Sequence, residues 1–291
     1  MIAYFVNGIA LGFSIGLLAF GLALIWRTAG MIDFSYGCVF LASAYAALGL
    51  HVLLGWPLWL AAPAAVGVGG LTGMGLYLGL YRHFLRRRAP LFVLVLLSLA
   101  AFTVTENGLG AMFTAQRFYL THELLPGWTV LGVRLNAAHF SKIAIALVVL
   151  GALWLFFTRT RPGAAILAVA DNRQLAEAVG VNVNHAYLWV FGIAGLIAGA
   201  AAVTTVIETG VDPFVGFVPV FLAFASIIVG GLRDLRGPLV GALVLGQAFH
   251  WAVWKIPASW QEVVAYTVVI GVLMVRPEGL FGGIQRFQGR T

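Results

Sequence analysis

Two acids stand where an ionised group is costly. Asp33 in "GMIDFSYG" and Glu106 in "TVTENGLG" fall within or at the rim of long apolar runs. A carboxyl buried there costs several kcal/mol unless it is neutralised, paired or hydrated. Such a group either pins a helix break by hydrogen bonds or lines a polar path, and Phe34, Ser35, Tyr36 and Asn107 are the neighbours that would share the lining. Glu208 and Asp212, beside Pro213, read instead as interfacial acids.

Other strings that carry chemistry elsewhere fail on context. "GFSIG" (12–16) matches a serine nucleophile elbow, but the elbow needs a strand, a sharp turn and a helix, and this copy lies in a continuous apolar run with no His and Asp placed to follow it. The six histidines include no pair at metal spacing, and "HELLP" from His122 lacks the second histidine of a zinc helix. No Gly-x-x-x-x-Gly-Lys-Ser/Thr loop occurs, so any ATP that drives this chain binds to another polypeptide. The expectation is a chain with no catalytic residue, metal or cofactor.

The elements that position these residues are membrane helices. Of 291 residues, 62% are hydrophobic and 9% charged, with mean hydropathy +0.99; a soluble domain needs roughly a quarter charged to solvate its surface. The formal charge of +7 sits mainly between apolar runs, where it sets orientation in lipid rather than marking a nucleic-acid partner. Cys38 is the single cysteine and can form no internal disulfide. "MIAYFVNGIALGF" has neither a basic leader nor a small-residue cleavage site, so no cleavable signal peptide is expected.

Runs able to cross roughly 30 Å of hydrocarbon cover 2–26, 56–81, 91–113, 141–157, 187–207 and 238–254, with 260–275 also plausible. The stretches 34–54 and 218–231 are weaker and read as broken or re-entrant. The class is an all-α polytopic membrane protein of about eight to nine transmembrane or broken helices, a single domain over 1–291. Basic loops at 82–90, 159–186 and 232–237, with the tail after 276, then share the cytoplasmic side; the amino terminus is external and the carboxyl terminus internal. An external loop, 116–140, carries strand-like alternation around a Leu-Gly turn and reads as a small ordered cap. Glycines four apart at 8, 12 and 16, at 69 and 73, 75 and 79, 195 and 199, and 237 and 241 predict close helix packing.

Between the runs lies "RTRPGAAILAVADNRQLAEAVGVNVNHA" (159–186). Arg161-Pro162 is expected to end the preceding helix. Asp171 with Gln174 has the form of a capping box and Gly180 supplies a stop, enclosing a helix over 172–179. That is below the ~12–15 residues a helix needs to stand alone in water. Leu175 and Val179 share one face, with Ala176 and Ala178 near it and Arg173 and Glu177 outside, so a partner or the membrane domain must receive it.

"GLALIWRTAGMIDFSYGCVFLASAYAAL" (21–48), the stretch 159–203, "IIVGGLRDLRGPLVGALVLG" (227–246) and "RPEGLFG" (276–282) resemble the membrane permease subunits of branched-chain amino acid ABC importers, in order and nearly end to end. The likeness is closer to the LivH-like than to the LivM-like subunit. It implies a heterodimer with a second related permease, two cytoplasmic ABC ATPases, an external solute-binding protein and a bacterial inner membrane. It also implies that Asp171, Asn172, Arg173, Leu175, Ala176, Glu177, Val179 and Gly180 form the coupling helix that seats in an ATPase. One position departs from the pattern: Met31-Ile32-Asp33-Phe34 stands where these permeases usually read Val-Ile-Asn-Phe, and its acid is more like the Ile-Asp-Leu-Ser of the related sugar permeases. The expected cargo is a branched-chain or related hydrophobic amino acid; urea, short amides or another small organic solute are the alternatives, as is an ion-coupled transporter using Asp33 or Glu106.

Overall fold

A computed structural model describes residues 2–87, 89–113, 116–120, 127–130, 133–231, 234–252, 257 and 260–281. His122, the Leu131-Gly132 turn, part of the 232–237 loop and Gly282 of the terminal motif lie outside them. Twelve helices and one hairpin follow in the order α1 (Ile2–Ala29), α2 (Tyr36–Leu48), α3 (Leu58–Leu76), α4 (Arg82–Arg86), α5 (Leu91–Phe113), β1 (Gly127–Val130), β2 (Val133–Asn136), α6 (Ala137–Arg159), α7 (Arg161–Asp171), α8 (Arg173–Ala178), α9 (Val183–Thr209), α10 (Phe217–Gly230), α11 (Gly237–Ala252) and α12 (Gln261–Val275). Among the described residues six helical stretches are long and apolar enough to cross a membrane, and α10 and most of α12 are shorter apolar helices.

The most apolar stretches of α1 and α9 are 83% buried, against 17% for α5 and α6, so these two helices are the core around which the rest pack. Helices apolar on every side belong in that position. Small residues set the spacing. Gly8, Gly12 and Gly16 of α1 face Gln247, Leu243 and Leu239 of α11, and a Cβ added at Gly12 would stand 3.0 Å from Leu243. Between α3 and α9 the backbones themselves touch: a Cβ at Gly69 would lie 2.6 Å from the Gly195 carbonyl oxygen. Lipid gives no hydrophobic drive for such association, so it depends on this closeness. Gly75 and Gly79 differ, since a Cβ there would meet nothing within 4 Å among the described residues.

The stretch 34–54, expected to be broken, forms α2 and continues through one wide turn, Gly49–Leu53, into a single long apolar helix. A second wide turn, Tyr77–Tyr81, joins α3 to α4 and carries Tyr77 and Tyr81 onto Phe191 of α9, with ring centroids 5.5 and 5.2 Å apart. Within the 116–140 stretch β1 and β2 pair antiparallel, with Val130 opposite Val133. A bridge between Phe118 and Val211 ties the segment before β1 to the end of α9.

The 159–186 stretch holds two helices where the sequence reading found one. Thr160 caps α7, its hydroxyl accepting from the Gly163 amide at 3.1 Å, and Pro162 occupies the first turn, where a missing N–H costs nothing. Proline here starts a helix as well as closing the one before. The expected Asp171 cap of α8 is also corrected: Asn172 is the N-cap, its Oδ1 accepting from the Leu175 amide at 3.0 Å, and Asp171 ends α7. The expected helix over 172–179 is six residues long, Arg173–Ala178, with Gly180 following at φ +88°.

A junction, an outward face and a knob

Residues 33–36 lie where α1 passes into α2, and between them they reach Tyr81, α5, α9 and α10. Asp33 is 2% exposed; its Oδ1 accepts from the Ser35 hydroxyl at 2.6 Å and from the Tyr81 hydroxyl at 2.6 Å. The Phe34 amide donates to Ser98 Oγ of α5 at 3.2 Å, and the Phe34 ring packs on Phe224 of α10 with centroids 5.9 Å apart. The Tyr36 hydroxyl donates to the Ala194 carbonyl of α9 at 2.9 Å. Among the described residues no cation pairs with Asp33; the two hydroxyls and the backbone amides of Ser35 and Tyr36 satisfy it. Buried polar groups persist when so satisfied, and the network fixes their surroundings. Sequence reading identified the acid but not Tyr81 or Ser98. A tyrosine in an apolar run is itself a signal, because its buried hydroxyl needs a partner.

Glu106 and Asn107 lie elsewhere. Helix α5 packs chiefly on α2, with Leu94, Ser98 and Phe102 buried and the Thr105 hydroxyl 3.4 Å from Cys38 Sγ. Its other side carries Thr103, Glu106 and Asn107 at helical spacing; Asn107 is exposed and its amide donates to the Thr103 carbonyl at 2.8 Å, while Glu106 is partly covered. The six candidate path residues therefore form two groups on opposite sides of α5: four within the junction and two on the outward face. A carboxyl facing hydrocarbon is costly, so that face calls for water or another polypeptide rather than lipid tails.

At the end of the bundle where α1 finishes, α8 projects as a knob. Ala176 is 3% exposed and makes its inward contact, whereas Leu175 and Val179 are 63% and 71% exposed. The Arg173 Nε donates to Glu177 Oε1 at 3.1 Å across one helical turn, and the Arg173 guanidinium lies 5.7 Å above the Tyr187 ring of α9. Asp171 meets Arg27 of α1 at 3.5 Å. The knob is thus joined to both core helices, while its apolar side has no cover among the described residues.

The two acids read as interfacial are paired at the opposite end. Glu208 binds Lys142 of α6, and Asp212 accepts from the Arg117 guanidinium at 2.7 Å. Neither partner was legible, since 66 and 95 residues separate each pair.

A family model described as "Branched-chain amino acid transport system / permease component" matches residues 4–273. The high-affinity branched-chain amino acid transport system permease protein BraD of Pseudomonas aeruginosa is 27% identical over 95% of this chain and 94% of its own length. The corresponding LivH protein of Escherichia coli K12 is 25% identical over the same shares. The ribose import permease protein RbsC of that strain is 28% identical over 87% of this chain and 79% of its own. In three dimensions a chain of "PsaBC from Streptococcus pneumoniae in complex with Fab" superposes with a TM-score of 0.52 at 12% identity, over 97% of this chain and 98% of that one, which is a likeness of fold.

Proposed function

Since the chain belongs to the branched-chain amino acid transport permease family, matched over residues 4–273, we propose that it is one half of the membrane path of an ATP-driven importer for branched-chain amino acids or close relatives. The observation that carries this reading is the knob. A helix of six residues is too short to hold itself, yet it exposes Leu175 and Val179 beside a capped and ion-paired frame. Seated in a cytoplasmic ATPase, that apolar side gains the cover it lacks.

Movement of the knob has a direct route inward. Arg173 bears on Tyr187 of α9, and Asp171 bears on α1 through Arg27, so closure of two ATPases around ATP would tilt the two core helices together. The outward face of α5, with Thr103, Glu106 and Asn107, then lines the path against a second, related permease. The junction at Asp33, Phe34, Ser35 and Tyr36 holds the α1–α2 connection rigid beside it. An external solute-binding protein delivers the cargo, and the path needs only weak affinity for it.

Orientation follows from charge. Arg27, Arg86 and Arg173 gather at the knob end, which the positive-inside rule makes cytoplasmic, leaving the amino terminus and the hairpin outside a bacterial plasma membrane.

The test is reconstitution. Proteoliposomes carrying this chain with its partner permease, two ATPases and binding protein are expected to accumulate leucine only with ATP, while the chain alone moves none. Leucine flux through the purified chain alone, driven by an ion gradient, would overturn the proposal.

A further inference from the structure

At the knob end a cavity of about 230 Å³ lies between the wide turn at 77–81, α4 and the start of α9. Arg82, Arg86, Asn184 and His185 form its polar walls, and Leu78 and Leu188 its apolar side. The volume falls below the roughly 300–1,000 Å³ of sites that enclose a whole small molecule, so it suits a headgroup.

The cavity is basic, and nothing within it offsets that charge. Arg82 and Arg86 stand four apart on α4 and so share one face. No carboxylate lines the cavity, and among the described residues neither guanidinium has an acidic partner. Acids at the same end are engaged elsewhere: Asp171 with Arg27, Glu177 with Arg173, and Asp33 inside the junction. Arg86 is nevertheless oriented. Its Nε donates to Asn184 Oδ1 at 3.4 Å, and the same oxygen accepts from the Tyr77 hydroxyl at 3.3 Å. Asn182 caps α9 by accepting from the His185 amide at 3.2 Å, which sets His185 beside the two arginines.

These features select a ligand with an anionic head and an apolar body. Paired guanidiniums match phosphate oxygens, which they can bind bidentately. A small free anion would use the arginines and leave the leucines without a role. Leu78 is 50% exposed and Trp189, next to Leu188, is 44% exposed, as side chains that meet lipid at a membrane boundary are. The positive-inside bias requires only basic residues somewhere in the loop; the cavity singles out Arg82 and Arg86 and leaves Arg87 outside its walls. We propose that this cavity binds the phosphate of an anionic phospholipid, with Arg82 and Arg86 on the phosphate oxygens, His185 on the headgroup and the acyl chains along Leu78 and Leu188. Placing that lipid in the cytoplasmic leaflet, which is rich in anionic headgroups, rests on the orientation read above from loop charge. The site itself does not depend on which solute the chain carries.

The experiment titrates the full, delipidated chain in detergent with phosphatidylglycerol and follows the first bound lipid by native mass spectrometry. Phosphatidylglycerol is expected to bind at least about tenfold more tightly than phosphatidylcholine, and inorganic phosphate at equal concentration should not displace it. Arg82→Gln combined with Arg86→Gln should remove the preference, while Arg87→Gln retains it. Slow labelling of buried Cys38 (4% exposed) verifies that each variant is folded. Equal binding of the two lipids, displacement by inorganic phosphate, or the same loss in Arg87→Gln as in the folded double variant overturns the site. If the double variant misfolds, the lipid and phosphate series on the unaltered chain decides. The complete assembly should retain the lipid; its displacement by the ATPases would make the cavity a contact for an acidic protein segment and overturn the proposal. Lipid preference without ATP-driven import would remove the import reading and leave this site, and import without lipid preference would do the opposite.

Discussion

At the scale of single residues, the Asp33 junction is held by several buried hydrogen bonds. One carboxyl oxygen receives two hydroxyls at 2.6 Å, from Ser35 two residues away and from Tyr81 on another helix. Tyr81→Phe keeps the ring on Phe191 and removes only the donor, so the cost should approach that of an under-satisfied buried polar group, about 1–3 kcal/mol. A thiol-reactive dye at Cys38 reads the resulting drop in unfolding midpoint; an unchanged midpoint would mean that the Ser35 hydroxyl and the Ser35 and Tyr36 amides satisfy the acid without Tyr81. Asp33→Asn preserves the acceptor and should preserve assembly. A change in transport or substrate range in that variant assigns the acid a part in conduction, and unchanged transport of every solute confines it to holding the junction. The acid stood out in the sequence because carboxyls are rare in apolar runs, whereas its partner looked like the unremarked end of a span. No periodicity links positions 48 residues apart.

At the scale of elements, glycine decides which helices can touch. Gly195→Leu should force α3 away from α9, because its added Cβ would collide with the Gly69 backbone, whereas Gly75→Leu should be tolerated by the isolated chain, where that site is open. Detergent-extracted yield and Cys38 protection separate the two; equal loss in both would refute the packing assigned to α3 and α9. The glycine spacing was legible, but which pairs face a neighbour was not, since both kinds read the same in one dimension. The α7–α8 elbow shows the converse. Its stop at Gly180 and its brevity could be read from residue types, but Pro162 was taken as an end when, behind a Thr160 cap, it also begins a helix, and Asn172 displaced Asp171 as the cap of α8.

For the whole molecule, hydropathy anticipated the long apolar helices because membrane burial acts on entire segments, and alternation around a Leu-Gly turn anticipated the strand pair. The grouping of helices around α1 and α9 could not be anticipated, since an apolar run facing lipid and one facing protein have the same composition. Orientation is open to a direct check: with an inward knob, Phe214→Cys should react with an impermeant maleimide from outside the cell and Arg87→Cys only after permeabilisation. The reverse pattern would invert the molecule. The central claim is that force enters through α8. In the reconstituted assembly, Leu175→Arg places a cation on the knob's apolar side, and Glu177→Arg, combined with it, breaks the ion pair with Arg173. Measured leucine uptake per ATP hydrolysed should fall at least about tenfold, as a loss of at least ~1.4 kcal/mol in coupling requires, with weakened ATPase retention and Cys38 still protected. Uptake per ATP equal to that of the unaltered chain would contradict the account.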